Sequence, residues 1–134
     1  MRTHAESIEI AAPPDAVHAF LADPEKLPVW AIGFAKAIEH AADGWVVTTA
    51  SGDRVGIRVV SDPEHGIVDY VMSPAPGVEV AARTRVVAAD GGALYTFAML
   101  QAPGMPDAVF DRQVSELKRE LTVLKAHLET ACPL

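Results

Sequence analysis

The sequence holds a single cysteine, Cys132, close to its end, so no internal disulfide can form and a reducing compartment is the default. No apolar run approaches the roughly 18 to 20 residues that span a bilayer, and the opening M-R-T-H-A-E-S-I-E-I lacks the apolar stretch of a signal peptide. A cytoplasmic protein is therefore expected. No Lys/Arg cluster interleaved with aromatics occurs, and 11 basic against 18 acidic residues leave a formal charge of -7, which repels phosphate backbones. Nucleic acid is not an expected partner, and without a basic face neither is a membrane surface.

Catalytic signatures are equally scarce. There is no G-x-S-x-G, H-E-x-x-H, C-x-x-C or G-x-G-x-x-G, and no glycine loop to cradle a phosphate. These absences count against P-loop phosphoryl transfer, zinc peptidases and classical dinucleotide enzymes, so no cofactor is expected. The 5 histidines are His4, His18, His40, His65 and His127, and none stands at the spacing of an easily read metal site. No metal is assigned. His65 in a turn and His127 on a polar helix face read as solvated; His18 and His40 are better placed to meet a cavity mouth.

What is present is apolar pattern. Half of the 134 residues are hydrophobic and 22% are charged, the balance of one packed domain, 1–134. Such a chain buries roughly two thirds of its unfolded surface. From Met105 to Ala131, Phe110, Val114, Leu117, Leu121, Leu124 and Leu128 fall in one stripe of a long helix, opposite charged and polar residues. Earlier, Thr3 to Ala11 alternates with period two, placing Glu6, Ile8 and Ile10 on one face. Pro13-Pro14 ends that strand and opens a helix near 14 to 22; Asp23-Pro24 closes it, and a further short turn ends at Pro28, before Trp30. Turn clusters then divide the middle into strands near 34 to 41, 45 to 50, 53 to 61, 66 to 73, 78 to 89 and 93 to 101. Pro106 with Asp107 starts the long helix.

This order, with the motifs S-I-E-I-A-A-P-P-D-A-V-H-A-F-L-A-D-P-E-K-L-P-V-W at 7 to 30, G-I-V-D-Y-V at 66 to 71, R-V-V at 85 to 87, T-F-A-M-L-Q-A-P-G-M at 96 to 105 and the final L-K-A-H-L-E, resembles the START-like, Bet v 1-like superfamily of polyketide cyclase/dehydrase and lipid transport type. The resemblance covers nearly the whole chain. It implies an α+β helix-grip fold, a curved seven-stranded antiparallel sheet with two short helices holding a C-terminal helix around a cavity. Pro106 departs from the pattern, since relatives tend to place a serine cap there; the loss is about 1 kcal/mol of capping.

Pairing the strands through their turns puts Val68, Tyr70 and Met72 on one face with Val78, Val80, Ala82, Thr84 and Val86, and with Tyr95, Phe97 and Met99. Val55, Ile57 and Val59 join them, while Arg54, Arg58, Asp69, Arg83 and Arg85 point away and Asp69 can pair with an arginine. Which of Trp45 and Val46 faces inward stays open. Given the cavity that the resemblance implies, Tyr70, Met72, Tyr95, Phe97, Met99, Phe110, Val114 and Leu117 form its wall or an ordinary core, and Trp30 is either a lid or a core plug. Polar contacts would come from Tyr70, Tyr95 and His40. No base stands near the phenols, so a small apolar or aromatic ligand is expected before an aromatase/cyclase reaction. A third reading is a homodimeric or protein-binding module, because Ile67, Val71, Val87, Leu94, Ala98 and Leu100 fall on the outer face.

Overall fold

Alternating residues make Thr3–Ile10 a strand, β1, and Pro13 stops it by starting a helix whose first residue is Pro14. The computed structural model describes residues 1–134. Helix α1 (Pro14–Ala22) leads through a 3-10 turn (Pro24–Lys26), capped by the Asp23 carboxylate on Glu25 N–H at 3.0 Å, into the single turn of α2 (Leu27–Trp30). Pro28 lies in the first positions of α2 rather than at its end. A proline needs no N–H there, so it opens the turn that carries Trp30 instead of closing the one before it.

Six strands follow: β2 (Ala35–Ala41), β3 (Gly44–Thr49), β4 (Arg54–Asp62), β5 (Ile67–Ala75), β6 (Val78–Ala89) and β7 (Gly92–Leu100). All neighbours are antiparallel, and the order β1-β7-β6-β5-β4-β3-β2 makes one sheet of 7 strands with β1 and β2 at its edges. At Gly66, before β5, φ is +67° and an added Cβ would lie 2.1 Å from the Val86 carbonyl oxygen, so only glycine fits.

Helix α3 (Asp107–Ala131) completes the chain. Pro106 stands one position outside it, as an uncapped N-cap. Gln101 Nε2 ties this entry by donating to Met105 O at 2.9 Å and to Asp107 Oδ1 at 2.8 Å. The expected stripe is buried from Leu117 to Leu128, and Leu121, Leu124 and Leu128 are sealed. Each contributes roughly 2 kcal/mol of apolar burial. One expected polar position is not on the outer side of α3: Glu120 is buried.

The register confirms the expected faces. Val68 lies opposite Thr84, Tyr70 opposite Ala82 and Met72 opposite Val80; Thr84 and Val86 in turn oppose Phe97 and Tyr95. Val78 is a correction, since it is 45% exposed: a register shift between Met72 and Ala75 carries the end of that hairpin beyond the core. Trp45 pairs with Ile57 and so faces inward, with Val46 on the other side. The outer face carries the Arg83–Asp69 pair at 2.9 Å between exposed Val87 and Leu100, while Val71 beside them is buried. No helix is long and apolar enough to cross a membrane.

Candidate functional site

Helix α3 runs along edge strand β1 and is fastened to it at both ends. Arg2 Nη2 donates to Asp111 Oδ1 at 2.7 Å, Lys125 Nζ to Glu9 O at 2.7 Å, and Ala11 N–H to Glu129 Oε2 at 2.8 Å. Phe110, expected in the site wall, is instead buried at this seam with the Arg2 guanidinium over its ring at 5.1 Å. It lies outside the main apolar cluster because the helix begins there before reaching the middle of the sheet.

Between helix and sheet the inward side chains are sealed toward one end and half-buried toward the other, here called the closed and the open half. In the closed half Trp30 packs between two phenols, with its ring 6.3 Å from Tyr70 and 6.4 Å, edge-on, from Tyr95; Leu117 seals the helix side. Trp30 thus occupies the core-plug position. Burial then falls along each strand: from Tyr95 to Phe97 and Met99 on β7, and from Val68 and Tyr70 to Met72 on β5. Phe97 is the hinge between the halves, stacked on Tyr70 at 6.5 Å and edge-on to Tyr95 at 6.4 Å. A continuous cross-strand row, His40, Trp45, Ile57, Met72 and Val80, floors the open half. His40 is exposed at its rim, with its ring 4.7 Å from that of Trp45. Val114, one turn before Leu117 on α3, is partly buried.

Polar groups also enter this interior. Glu120 projects from α3 between Leu117 and Leu121; its Oε2 accepts the Gly33 N–H at 3.1 Å. Its Oε1 makes no hydrogen bond and is not sealed from solvent. Burial pushes this carboxyl up to about 7; the Gly33 N–H opposes the rise and the Glu116 charge adds to it. A buried carboxyl thus stands near neutrality beside the phenols, where the sequence pattern points to no base. Glu6 lies opposite Phe97 and His4 opposite Met99, so both share the inward face, joined by a 2.7 Å hydrogen bond between His4 Nε2 and Glu6 Oε1.

The phenols differ. Tyr70 Oη donates to Leu21 O at 2.6 Å, whereas Tyr95 Oη is buried without a hydrogen-bond partner. Its neighbour Thr84 donates to Val68 O. Burial raises both phenols above their ordinary range; at Tyr95 the neighbouring Thr84 and Tyr70 hydroxyls oppose the rise and the Glu120 charge adds to it.

The other histidines lie apart from this face. His65 pairs with Asp62 at 2.8 Å, and His127 rests on Phe20 at 5.0 Å, exposed as expected. His18 is buried and its Nε2 meets Ser61 Oγ at 2.8 Å beside a shallow recess of about 330 Å³ lined also by Pro14, Ala22 and Pro63.

Solved structures of the same shape include XoxI from Bacillus cereus, at 15% identity and a TM-score of 0.75 over 96% of both chains. A START superfamily protein from Mycobacterium smegmatis matches at 14% identity and a TM-score of 0.70, over 96% of this chain and 97% of that one. The di-domain ARO/CYC BexL from the BE-7585A biosynthetic pathway matches at 20% identity and a TM-score of 0.73, over 98% of this chain and 48% of its own. At these identities the likeness is one of fold. No protein of curated function matches the sequence. A family model does, and it extends over residues 1–129, from the first strand to the last turns of α3: the chain belongs to the polyketide cyclase/dehydrase and lipid transport family.

Proposed function

We propose that the protein binds a small apolar or aromatic molecule between α3 and the sheet. The observation that carries this reading is the half-buried inward set of Trp45, Met72, Phe97 and Met99, apolar side chains that reach the solvent-accessible half of the groove beside a sealed core. A folded chain gains by covering such a surface, and a flat apolar guest would cover it at roughly 25 cal/mol per Å². Methionines at two of these positions adapt to guests of different outline. Family membership and the fold shared with START and ARO/CYC proteins support a ligand of this kind. Native mass spectrometry of gently purified protein tests it: a mass above the 14.2 kDa chain, removed by denaturation, supports the reading, and failure of a broad apolar panel to bind overturns it.

A second reading, an aromatase/cyclase acting on a polyketide-like chain, draws on Glu120. A buried carboxyl brought near neutrality is suited to accept a proton from a bound guest and return it elsewhere. Product formation from a polyketide-like substrate, lost in Glu120→Gln with binding retained, would favour it.

A further inference from the structure

Apart from His4 and His40, the ionisable side chains named on the inward face are carboxylates. Glu6 on β1 and Glu116 and Glu120 on α3 face or border the groove, while Arg54, Arg58, Arg83 and Arg85 of the sheet occupy the opposite face. Glu6 is matched by His4. Glu120 is matched by nothing: it makes no ion pair, its hydrogen bond comes from a neutral backbone N–H, and Arg119 on the same helix is exposed. Close by, Tyr95 Oη is fully buried and makes no hydrogen bond, although the Thr84 and Tyr70 hydroxyls stand beside it; the Glu120 charge is within reach, and the Trp30 and Phe97 rings pack against its own. A carboxylate without a cation, a hydroxyl without a partner and a cluster of aromatic faces share one unmet need, a cation with hydrogens to donate.

We propose that the molecule held in this groove is an amine, whose apolar skeleton lies on Phe97, Met72 and Trp45 and whose ammonium pairs with Glu120. The proposal rests on the binding reading above and specifies its ligand class. The ammonium donates to Glu120 Oε1 and supplies the positive charge that the buried carboxylate lacks. The formal charge of -7 favours the approach of cations over anions. The groups facing Glu120 fix the pH profile. Glu116 and Arg119 flank it on α3, the Gly33 and Phe34 N–H groups approach from the segment after α2, and Tyr95 faces it from β7. His4 and Glu6 stand farther along the groove on β1. An alkylammonium stays charged to about pH 10, so affinity rises as Glu120 ionises through neutral pH and levels off above it.

Calorimetric titration with tryptamine and phenethylamine, each against its neutral counterpart tryptophol or 2-phenylethanol, tests this at pH 6 and pH 8. The expected result is a preference for the amines that grows with pH and falls by about tenfold or more in Glu120→Gln. The variant amide oxygen can still accept the Gly33 N–H, and an unchanged melting profile shows that the fold is kept. Glu116→Gln, at the groove border, should change the preference far less. If the alcohols bind as well as the amines, or the preference survives Glu120→Gln, the amine assignment is overturned while the binding reading stands. If neither class binds and no other apolar molecule does, both fall.

Discussion

The backbone N–H of Gly33 donates to Glu120 Oε2 at 3.1 Å, and this bond ties the segment after α2 to the middle of α3. The acceptor has its carboxyl pushed up to about 7 by burial, from an ordinary 4.5. Between those values the folded protein holds more proton than the unfolded one, so stability falls as pH rises from about 5 to about 7 and this contribution is flat above. The whole effect is at most about 3 kcal/mol. Denaturant midpoints of the wild-type chain minus those of Glu120→Gln, followed from pH 5 to pH 8, should show that fall. A difference independent of pH would mean that the carboxyl titrates as if exposed.

Gly33 also sits hard against α3. A Cβ added there would lie 3.0 Å from Glu116 Cβ, 3.1 Å from Cγ and 3.2 Å from Cδ. Gly33→Ala is expected to lower stability by about 1 to 2 kcal/mol, by pushing the segment away from the helix. Adding Glu116→Ala, which removes the two outer atoms, should recover part of the loss. Thermal melts of the single and double variants check this, and a double variant no better than the single one would place the strain elsewhere.

How far the sequence reveals this arrangement depends on the reach of each signal. Asp69, Arg83 and Arg85 belong to one hairpin, so alternation puts all three on one face with Asp69 free to pair with an arginine, and the register selects Arg83, at 2.9 Å. Glu6 needed more. Alternation set it with Ile8 and Ile10, but β1 pairs with β7, the last strand, and no turn links the two to say which face meets Phe97. Glu120 had a visible signal: it lies three residues after Leu117 and four before Leu124, inside the stripe, where its charge made it read as surface. Phe110 continued the stripe faithfully, yet a periodicity says nothing of where the helix meets the sheet, and Arg2 covers it instead. Trp45 stayed open until its pairing with Ile57 fixed the side.

The two buried phenols should answer opposite ways to loss of the hydroxyl. Tyr70 Oη donates to Leu21 O at 2.6 Å, so Tyr70→Phe orphans a buried carbonyl and is expected to lower stability by about 1 to 2 kcal/mol. Tyr95 Oη has no partner, and Tyr95→Phe removes an unsatisfied buried group, for a change near zero or a gain. Unfolding curves decide; a large loss in Tyr95→Phe would show that its hydroxyl is partnered in solution.

Side chains of the two halves of the groove should separate binding from stability. Leu121 is 1% exposed and packs in the closed half, so Leu121→Ala leaves a cavity and is expected to cost about 2 to 5 kcal/mol, with any effect on affinity following from the loosened fold. Met72 and Met99 are only partly buried on the open half, so their truncation removes little from the folded chain itself. It does remove surface that a guest would cover. Met72→Ala and Met99→Ala are therefore expected to shift the melting temperature of the ligand-free protein by no more than a few degrees, about 1 kcal/mol, while weakening a bound apolar guest several-fold. Measuring ligand affinity and the ligand-free melt on the same three variants makes the comparison. If the methionine variants lose stability as Leu121→Ala does, these side chains belong to the core and the open half is not a binding surface.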